Sequence, residues 1–423
     1  VNNKQYPKSA NQKPQSKIHM PITTLLFDLD DTLLGNDINK FIHPYLQLFA
    51  AHVANVVEPQ QFIGNLLAGT QAMLANNDPR RTLEQSFNEV FYPNLNLVRE
   101  SFAPHIDSFY TQKYPALQSQ THRIARAYDV IQWAFAEGYK VVIATNALFP
   151  SSAILQRLDW AGVSAAAFPY ALVTSLEFMH FAKPHPEYFA EILARVDSRP
   201  EETLMIGNDW SQDIAPAASL GLHTFWINTS SATSSDNYVQ PVGAGSLADF
   251  LKWASTPDNL ESLTPLPATP TGVRAQQAAA LSTLLGLTSG RSTAEWSWQP
   301  RDSEWSLTEI ACHLRDTEIE IHLPRLQIIL NESNPFISAI EADPWAVERN
   351  YQAQSGTQAM AAFSEARLIK LAMLDKLALD DWQRPARHAI FGPTTLQELV
   401  MFTVEHDRLH LRQVRENLAG VAL

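Results

Sequence analysis

Prolines set among serines and threonines divide this chain into two stretches of different periodicity: Pro257, Pro265, Pro267 and Pro270 all fall within Ala254–Val273. Proline removes an amide donor and favours extended backbone, so the run reads as a semi-rigid linker, assigned to residues 256–272. A chain of 423 residues is also too long for one ordinary core, and two or three domains are expected. Before the linker, in residues 21–255, short apolar runs alternate with helical patterns. Thr23–Leu29, Tyr139–Ala144, Ala171–Thr174, Thr203–Ile206 and His223–Ile227 read as buried strands of a parallel sheet. Residues 36–123 lack a convincing strand, and Phe41, Tyr45, Leu48 and Phe49 recur at helical spacing, which predicts an α-helical insert. After the linker, residues 273–423 are helical in pattern almost throughout, with breaks near Gly290, Asn334, Gly356 and Gly392. Four helices with an apolar seam suit that span, so an all-α four-helix bundle is expected.

Composition excludes several classes. With 45% hydrophobic and 18% charged residues the chain is that of a soluble globular protein, and no apolar run approaches the length that spans a bilayer. The first 20 residues are polar, carry Lys4, Lys8, Lys13 and Lys17, and lack the apolar stretch of a secretory signal. They read as a disordered leader or an upstream artefact, with Met20 a natural start. One cysteine, Cys312, excludes an internal disulfide framework and fits a reducing cytoplasm. A formal charge of −13 argues against nucleic acid as a partner and reads simply as solubility.

The first chemical constellation begins at Phe27-Asp28-Leu29-Asp30-Asp31-Thr32-Leu33, which follows an apolar strand. Open α/β sheets bind ligands at the carboxyl ends of their strands. A loop starting here lets Asp28 and Asp30 converge on one ligand, one to attack phosphorus and the other to move protons. Alone, the pattern reads equally well as a capped turn. Three further pieces shift that balance. Thr145 and Asn146 end a second strand with groups suited to phosphoryl oxygens, although either alone reads as a helix N-cap. Lys183 lies in Ala182-Lys183-Pro184-His185-Pro186, where a cation can neutralise both nucleophile and phosphate, although a lone loop lysine is usually solvated. Finally Gly207-Asn208-Asp209-Trp210-Ser211-Gln212-Asp213 ends another strand with two acids, hard oxygen donors that suit Mg²⁺.

In this order, the four pieces resemble the haloacid dehalogenase (HAD) superfamily over residues 21–255. The resemblance implies a Rossmannoid α/β core with a helical cap that closes over the site and excludes water. It implies that Asp28 is a nucleophile forming an aspartyl phosphate and Asp30 the general acid/base. Thr32, Thr145, Asn146 and Lys183 would bind the phosphoryl group. Asp28, the main-chain carbonyl of Asp30, and Asp209 would hold Mg²⁺, with Asp213 behind them or as an additional ligand. The fourth motif departs from the commoner Gly-Asp form at Asn208, which leaves open which acid touches the metal. Halide-displacing relatives lack the second acid of the first motif, so Asp30 implies a phosphatase acting on a small phosphorylated metabolite. Lys40, Arg80, Arg81, Arg99 and Lys113 of the insert are candidates for a second anionic group, or plain surface charges.

The second constellation lies beyond the linker. Ser306 and Glu309 open a helix as a capping box, and that helix carries His313. His406 and His410 stand four apart, on one helix face. Three imidazoles on two helices suit a transition metal with open coordination positions, while H-x-x-x-H alone is often a polar stripe. From Arg274 to Leu418 these pieces, with Phe391-Gly392-Pro393-Thr394-Thr395-Leu396 and Gln413, resemble the DinB/YfiT-like four-helix bundles. That resemblance implies a three-histidine site for Zn²⁺ or Ni²⁺. Glu309 is the candidate acceptor for the His313 ring, and Cys312 is expected in the core. A competing reading makes the bundle a metal-dependent thiol S-transferase and the first domain regulatory. A third makes the bundle a homodimerisation module.

Overall fold

The computed structural model describes residues 21–228, 239–301 and 304–421; the leader expected over residues 1–20 lies outside them. The described chain falls into two compact units, one ending at Ala268 and the other beginning at Thr269.

Among the described residues eight strands belong to the first unit: β1 (Thr24–Phe27), β2 (Leu34–Gly35), β3 (His122–Arg123), β4 (Lys140–Ile143), β5 (Leu172–Val173), β6 (Thr203–Gly207), β7 (His223–Ile227) and β8 (Gly243–Gly245). Six of them form a parallel sheet in the order β5-β4-β1-β6-β7-β8. Its central strand, Thr-Leu-Leu-Phe, is wholly buried, as a parallel strand covered on both faces must be. β1 stops at Phe27, two residues short of the expected Leu29, and this sets Asp28 free of the ladder at the strand's end. β8 has no counterpart in the expected strands, because Gly-Ala-Gly offers no apolar run.

The helices of this unit are α1 (Ile38–His52), α2 (Pro59–Leu74), α3 (Leu83–Leu95), α4 (Arg99–Gln112), α5 (Ala127–Ala136), α6 (Ser151–Ala161), α7 (Pro186–Val196), α8 (Ala215–Ser219) and α9 (Leu247–Ala254). Those from α1 to α4, with a 3₁₀ stretch Tyr114–Gln120, make the helical insert. Its interior is aromatic: Phe49 and Phe109 stack at 3.8 Å, and the hydroxyls of Tyr45 and Tyr110 meet at 2.9 Å. The insert was expected to lack strands, yet β3 pairs antiparallel with β2, tying its exit to its entrance. Nor is the proline-rich stretch a bare strut. Leu260 is buried in the first unit's core, Leu263 packs against that core, and the carbonyl of Leu266 lies against Gly221.

The second unit holds α10 (Pro270–Thr288), α11 (Thr293–Ser297), α12 (Leu307–Thr317), α13 (Leu323–Asn331), α14 (Trp345–Glu348), α15 (Gly356–Leu374) and α16 (Leu396–Val421). Thr269 caps α10 and Pro270 is its first residue, so the last three residues assigned to the linker are helical. A π-helical turn, Glu318–His322, joins α12 to α13 in one rod. That rod with α10, α15 and α16 forms the four-helix bundle, α12 packing on α15 and α10 on α16. An all-α unit was expected, but three short strands are present. β9 (Phe336–Ile337) pairs parallel with β10 (Pro385–His388), which turns through Gly392 into β11 (Gly392–Thr395). Alternating burial along β10 and a positive φ of 71° at Gly392 account for the hairpin.

The bundle interior is unusually charged. Arg367, fully buried on α15, donates to Glu318 (2.7 and 3.1 Å) and to Asp407 (2.6 and 3.0 Å), and Lys370 stands 3.7 Å from Glu318. Removing one member strands the others without water. Arg367→Met is therefore expected to destabilise the protein by about 3–5 kcal/mol, whereas replacing Arg367, Glu318, Asp407 and Lys370 together by apolar residues costs far less. Urea unfolding of the full chain measures both, and equal losses in the two variants would contradict the account.

Candidate functional site

The strand ends of the first unit bring four loops together. Asp28 leaves β1 with its amide donating to the carbonyl of Ile206, and Asp31 adopts φ 54°, a left-handed turn that aspartate tolerates. Lys183, just before α7, is 2% exposed, and its Nζ donates to Asp28 Oδ1 at 2.7 Å and to Asp213 Oδ1 at 2.6 Å. Asp28 Oδ2 accepts no hydrogen bond among the described residues. Burial pushes the Asp28 carboxyl up to about 7; Lys183 opposes that rise, while Asp213 and Asp30 add to it. Burial works against the Lys183 charge, yet Asp213 and Asp28 hold it above the ordinary lysine range.

Thr145 follows β4, and its carbonyl accepts from Tyr188 Oη at 2.6 Å and from Thr174 Oγ1 at 2.7 Å, which fixes the loop beside Asp28. Asn146 is already engaged: its Oδ1 accepts from the Lys183 amide at 3.2 Å and its Nδ2 donates to Gln212 at 3.3 Å. The Thr32 hydroxyl is likewise engaged, donating to Asn208 Oδ1 at 3.2 Å. Asp30 accepts from Asn36 Nδ2 at 2.8 Å on one oxygen, and the other is ion-paired with Arg157 of α6. Asp213 lies over Gly207, where a Cβ would come within 2.4 Å of its Oδ2; that oxygen also accepts from the Asp209 amide at 3.0 Å. Asp209 Oδ1 accepts from the Ser211 amide and hydroxyl, both at 2.8 Å, and from the Gln212 amide at 3.0 Å. It caps a π-helical turn, Trp210–Ile214. Asp28, Asp30, Asp209 and Asp213 thus do not close into one tight cluster of carboxylate oxygens.

The closest cluster of that kind among the described residues is in the second unit. His313 on α12 and His406 and His410 on α16 offer ligand atoms within 4.8 Å of one another. Their Nε2 atoms face inward, His313 to His406 at 3.0 Å and His406 to His410 at 3.2 Å. Ligands about 2.0–2.1 Å from a tetrahedral ion stand about 3.3 Å apart, so the spacing fits one metal. His410 Nδ1 lies 2.7 Å from Gln413 Oε1, where only an N–H can bond, so its Nε2 keeps a lone pair. Trp305 stacks against His410 at 6.1 Å and tilts over His313 at 4.8 Å.

Family comparison agrees with both geometries. The model described as "haloacid dehalogenase-like hydrolase" matches residues 22–221, and that of the DinB superfamily matches residues 276–414. The first unit thus carries a haloacid dehalogenase-like hydrolase domain and the second a DinB/YfiT-like domain. Pyrophosphatase PpaX of Anoxybacillus flavithermus is 28% identical over 208 residues, which are 48% of this chain and 83% of that protein. A HAD phosphatase from Thermococcus onnurineus is 18% identical, with a TM-score of 0.37, over 55% of this chain and 98% of its own. YfiT from Bacillus subtilis is 17% identical, with a TM-score of 0.32, over 35% of this chain and 85% of its own.

Several side chains of the hydrolase and DinB domains fall elsewhere than expected. Glu309 does not reach His313. It accepts from Ser306 and Gln299, completing the expected capping box, and His313 Nδ1 is left buried without a partner among the described residues. Cys312 is fully buried, as expected, and burial pushes its thiol up to about 11. In the insert, Lys40, Arg80, Arg81 and Arg99 pair with surface carboxylates, and Lys113 is exposed. Arg157 was missed, although it occupies the apolar face of α6 with Ala153, Ile154, Leu158 and Ala161. His322, whose ring lies 5.3 Å from that of His406, was missed too. Nine residues at about 100° each would put it opposite His313, and the π turn changes that phase.

Burial lowers the basicity of all three cluster histidines: His313 and His406 fall well below 6.5, and His410 to about 4. The unfolded chain therefore binds more protons than the folded one between about pH 4 and 6.5. Stability from these rings is complete above pH 6.5 and drains away as pH falls towards 4, by about 3 kcal/mol for His410 alone. Denaturation in chelator at pH 7.5, 5.5 and 4.5 measures this loss. It should shrink in His406→Gln/His410→Gln, and an unchanged slope would rule the rings out as its source.

Proposed function

We propose that the hydrolase domain cleaves phosphate monoesters of small metabolites through an aspartyl phosphate on Asp28. The carrying observation is Asp28 itself, with one oxygen held by Lys183 and the other without a hydrogen bond among the described residues, at the mouth of β1. In the reaction Asp28 Oδ2 bonds to phosphorus, the ester P–O bond breaks, and Asp30 delivers a proton to the departing alkoxide. Asp30 then takes a proton from water as that water attacks phosphorus, which releases phosphate and frees Asp28. Asn36 and Arg157 orient Asp30, while Lys183 and Thr145 face the phosphoryl oxygens. The donor set is hard oxygen around an under-neutralised carboxylate, which fits Mg²⁺. Asp28 and the main-chain carbonyl of Asp30 would hold that ion, which supplies charge neutralisation across the nucleophile and the phosphate. The similarity to proteins named pyrophosphatase PpaX favours inorganic pyrophosphate as a second substrate class.

Phosphate release from aryl phosphate, a panel of phosphorylated metabolites and pyrophosphate tests this reading. Asp28→Asn is expected to abolish release with every substrate. Asp30→Asn should cost about 10²–10⁴-fold with alkyl esters and much less with nitrophenyl phosphate, whose leaving group needs no proton. Normal turnover by folded Asp28→Asn would remove the nucleophile from the scheme.

For the DinB domain we infer that His313, His406 and His410 hold one divalent transition metal, Zn²⁺ or Ni²⁺, through their converging Nε2 atoms. Imidazole nitrogen suits these ions, and three ligands leave a position open for a substrate. Elemental analysis of untagged full-length protein should find one such ion per chain, and His406→Ala/His410→Ala should lose it. Equal metal content in the two would reduce the histidines to a packed polar cluster.

A further inference from the structure

We propose that His322 is a positioning residue for the metal centre of the DinB domain, its Nε2 accepting the hydrogen bond of the His406 Nδ1–H; this rests on the metal reading above. Proton placement sets the requirement. A neutral imidazole that gives its Nε2 lone pair to a metal carries its proton on Nδ1, and that N–H needs an acceptor. His410 meets the requirement with Gln413 Oε1. His406 does not: its Nδ1 is buried and has no partner among the described residues, and an unmet donor away from water is costly. His322 Nε2 is a second buried nitrogen with no partner among them.

Helix register brings the two together. Asn417 Nδ2 donates to the carbonyl of Trp305 at 3.0 Å, His313 Nε2 faces His406 Nε2 at 3.0 Å, and His322 Nδ1 lies 3.4 Å from Thr403 Oγ1. Positions on α16 thus fall as those on α12 and its π turn rise, so His322 stands beyond His406, on the side away from His410. His406 turns its Nε2 towards His313 and His410, and the His322 ring lies edge-on to it with centroids 5.3 Å apart. One water, or a small turn of either ring, bridges that separation. For Nε2 to accept, His322 keeps its own proton on Nδ1, where Thr403 Oγ1 is the acceptor. Thr403, His322, His406 and the ion then form a line in which every donor faces an acceptor. Lys370, also buried, is paired with Glu318 at 3.7 Å, which leaves His322 for His406.

Titration of Zn²⁺ into the metal-stripped, full-length protein against a chromophoric chelator reads affinity without turnover, and excess Mg²⁺ fills the oxygen sites. His322→Leu is expected to weaken Zn²⁺ binding about 10–100-fold, the scale for losing the partner of a metal-bound imidazole. Gln413→Leu, which removes the partner that His410 has, should fall in the same range. His322→Gln, whose amide oxygen accepts in place of Nε2, should stay within about fivefold of the wild type. In chelator, His322→Leu should melt within about 4 °C of the wild type, so that the loss of affinity is not a loss of fold. Wild-type affinity in His322→Leu, or an equal loss in His322→Gln and His322→Leu, overturns the proposal and leaves the three-histidine site standing. A wild type that takes up no Zn²⁺, or equal uptake by His406→Ala/His410→Ala, removes the metal reading and this assignment with it.

Discussion

The Lys183 ammonium lies out of water between two carboxylates delivered by different strand ends, Asp28 after β1 and Asp213 beyond β6. Neither acid could be buried so close to the other without it, because like charges taken from water repel strongly. The same lysine fixes a third loop, since its amide donates to Asn146 at the end of β4. A requirement on sequence follows at Gly207: Asp213 reaches Lys183 only by passing over that residue, where any side chain would collide with the carboxylate. With Asp30 included, three carboxylates pair with two cations, Lys183 and Arg157. Burial is the main reason the Asp28 carboxyl sits far above its ordinary value, with Asp213 and Asp30 adding to it, and a divalent cation would offset that cost.

Where the sequence was legible, one local rule decided the outcome. Short apolar runs gave the five principal strands, and the loop residues after three of them are the ones that meet around Asp28. The Ser306–Glu309 capping box was readable because both hydrogen bonds are made within four residues. Spacing of four was enough to pair His406 with His410. What escaped depended on long-range geometry. Arg157 meets Asp30 from 127 residues away in sequence, and a buried arginine on an apolar helix face was the only sign of it. The same holds for Arg367, whose partners lie on two other helical segments. The fourth motif shows the limit most clearly. Spacing alone treats Asp209 and Asp213 as two free acids, while the π turn between them commits one as a cap and returns the other to Lys183.

The two domains assemble their polar centres by opposite means. In the hydrolase domain the sheet supplies rigidity, and reactive groups stand on loops just beyond the strand ends, so oxygen donors from distant positions converge. In the DinB domain the three imidazoles stand on helices and not at strand ends. Helix phase does the aligning, with two imidazoles one turn apart on α16 and a third from α12. Helix side chains sit deep in a bundle, so the imidazoles there are desolvated and neutral at ordinary pH, which is the state in which nitrogen binds a metal. Carboxylates buried to the same depth would have to be protonated or paired, as Glu318 and Asp407 are by Arg367. The interior of a helical bundle therefore favours nitrogen ligands, while the loops beyond a parallel sheet bring carboxylates together around a buried cation, the oxygen donors that suit Mg²⁺. On the proposed reading, each ion would be offered the donor atoms that its surroundings keep in the binding form.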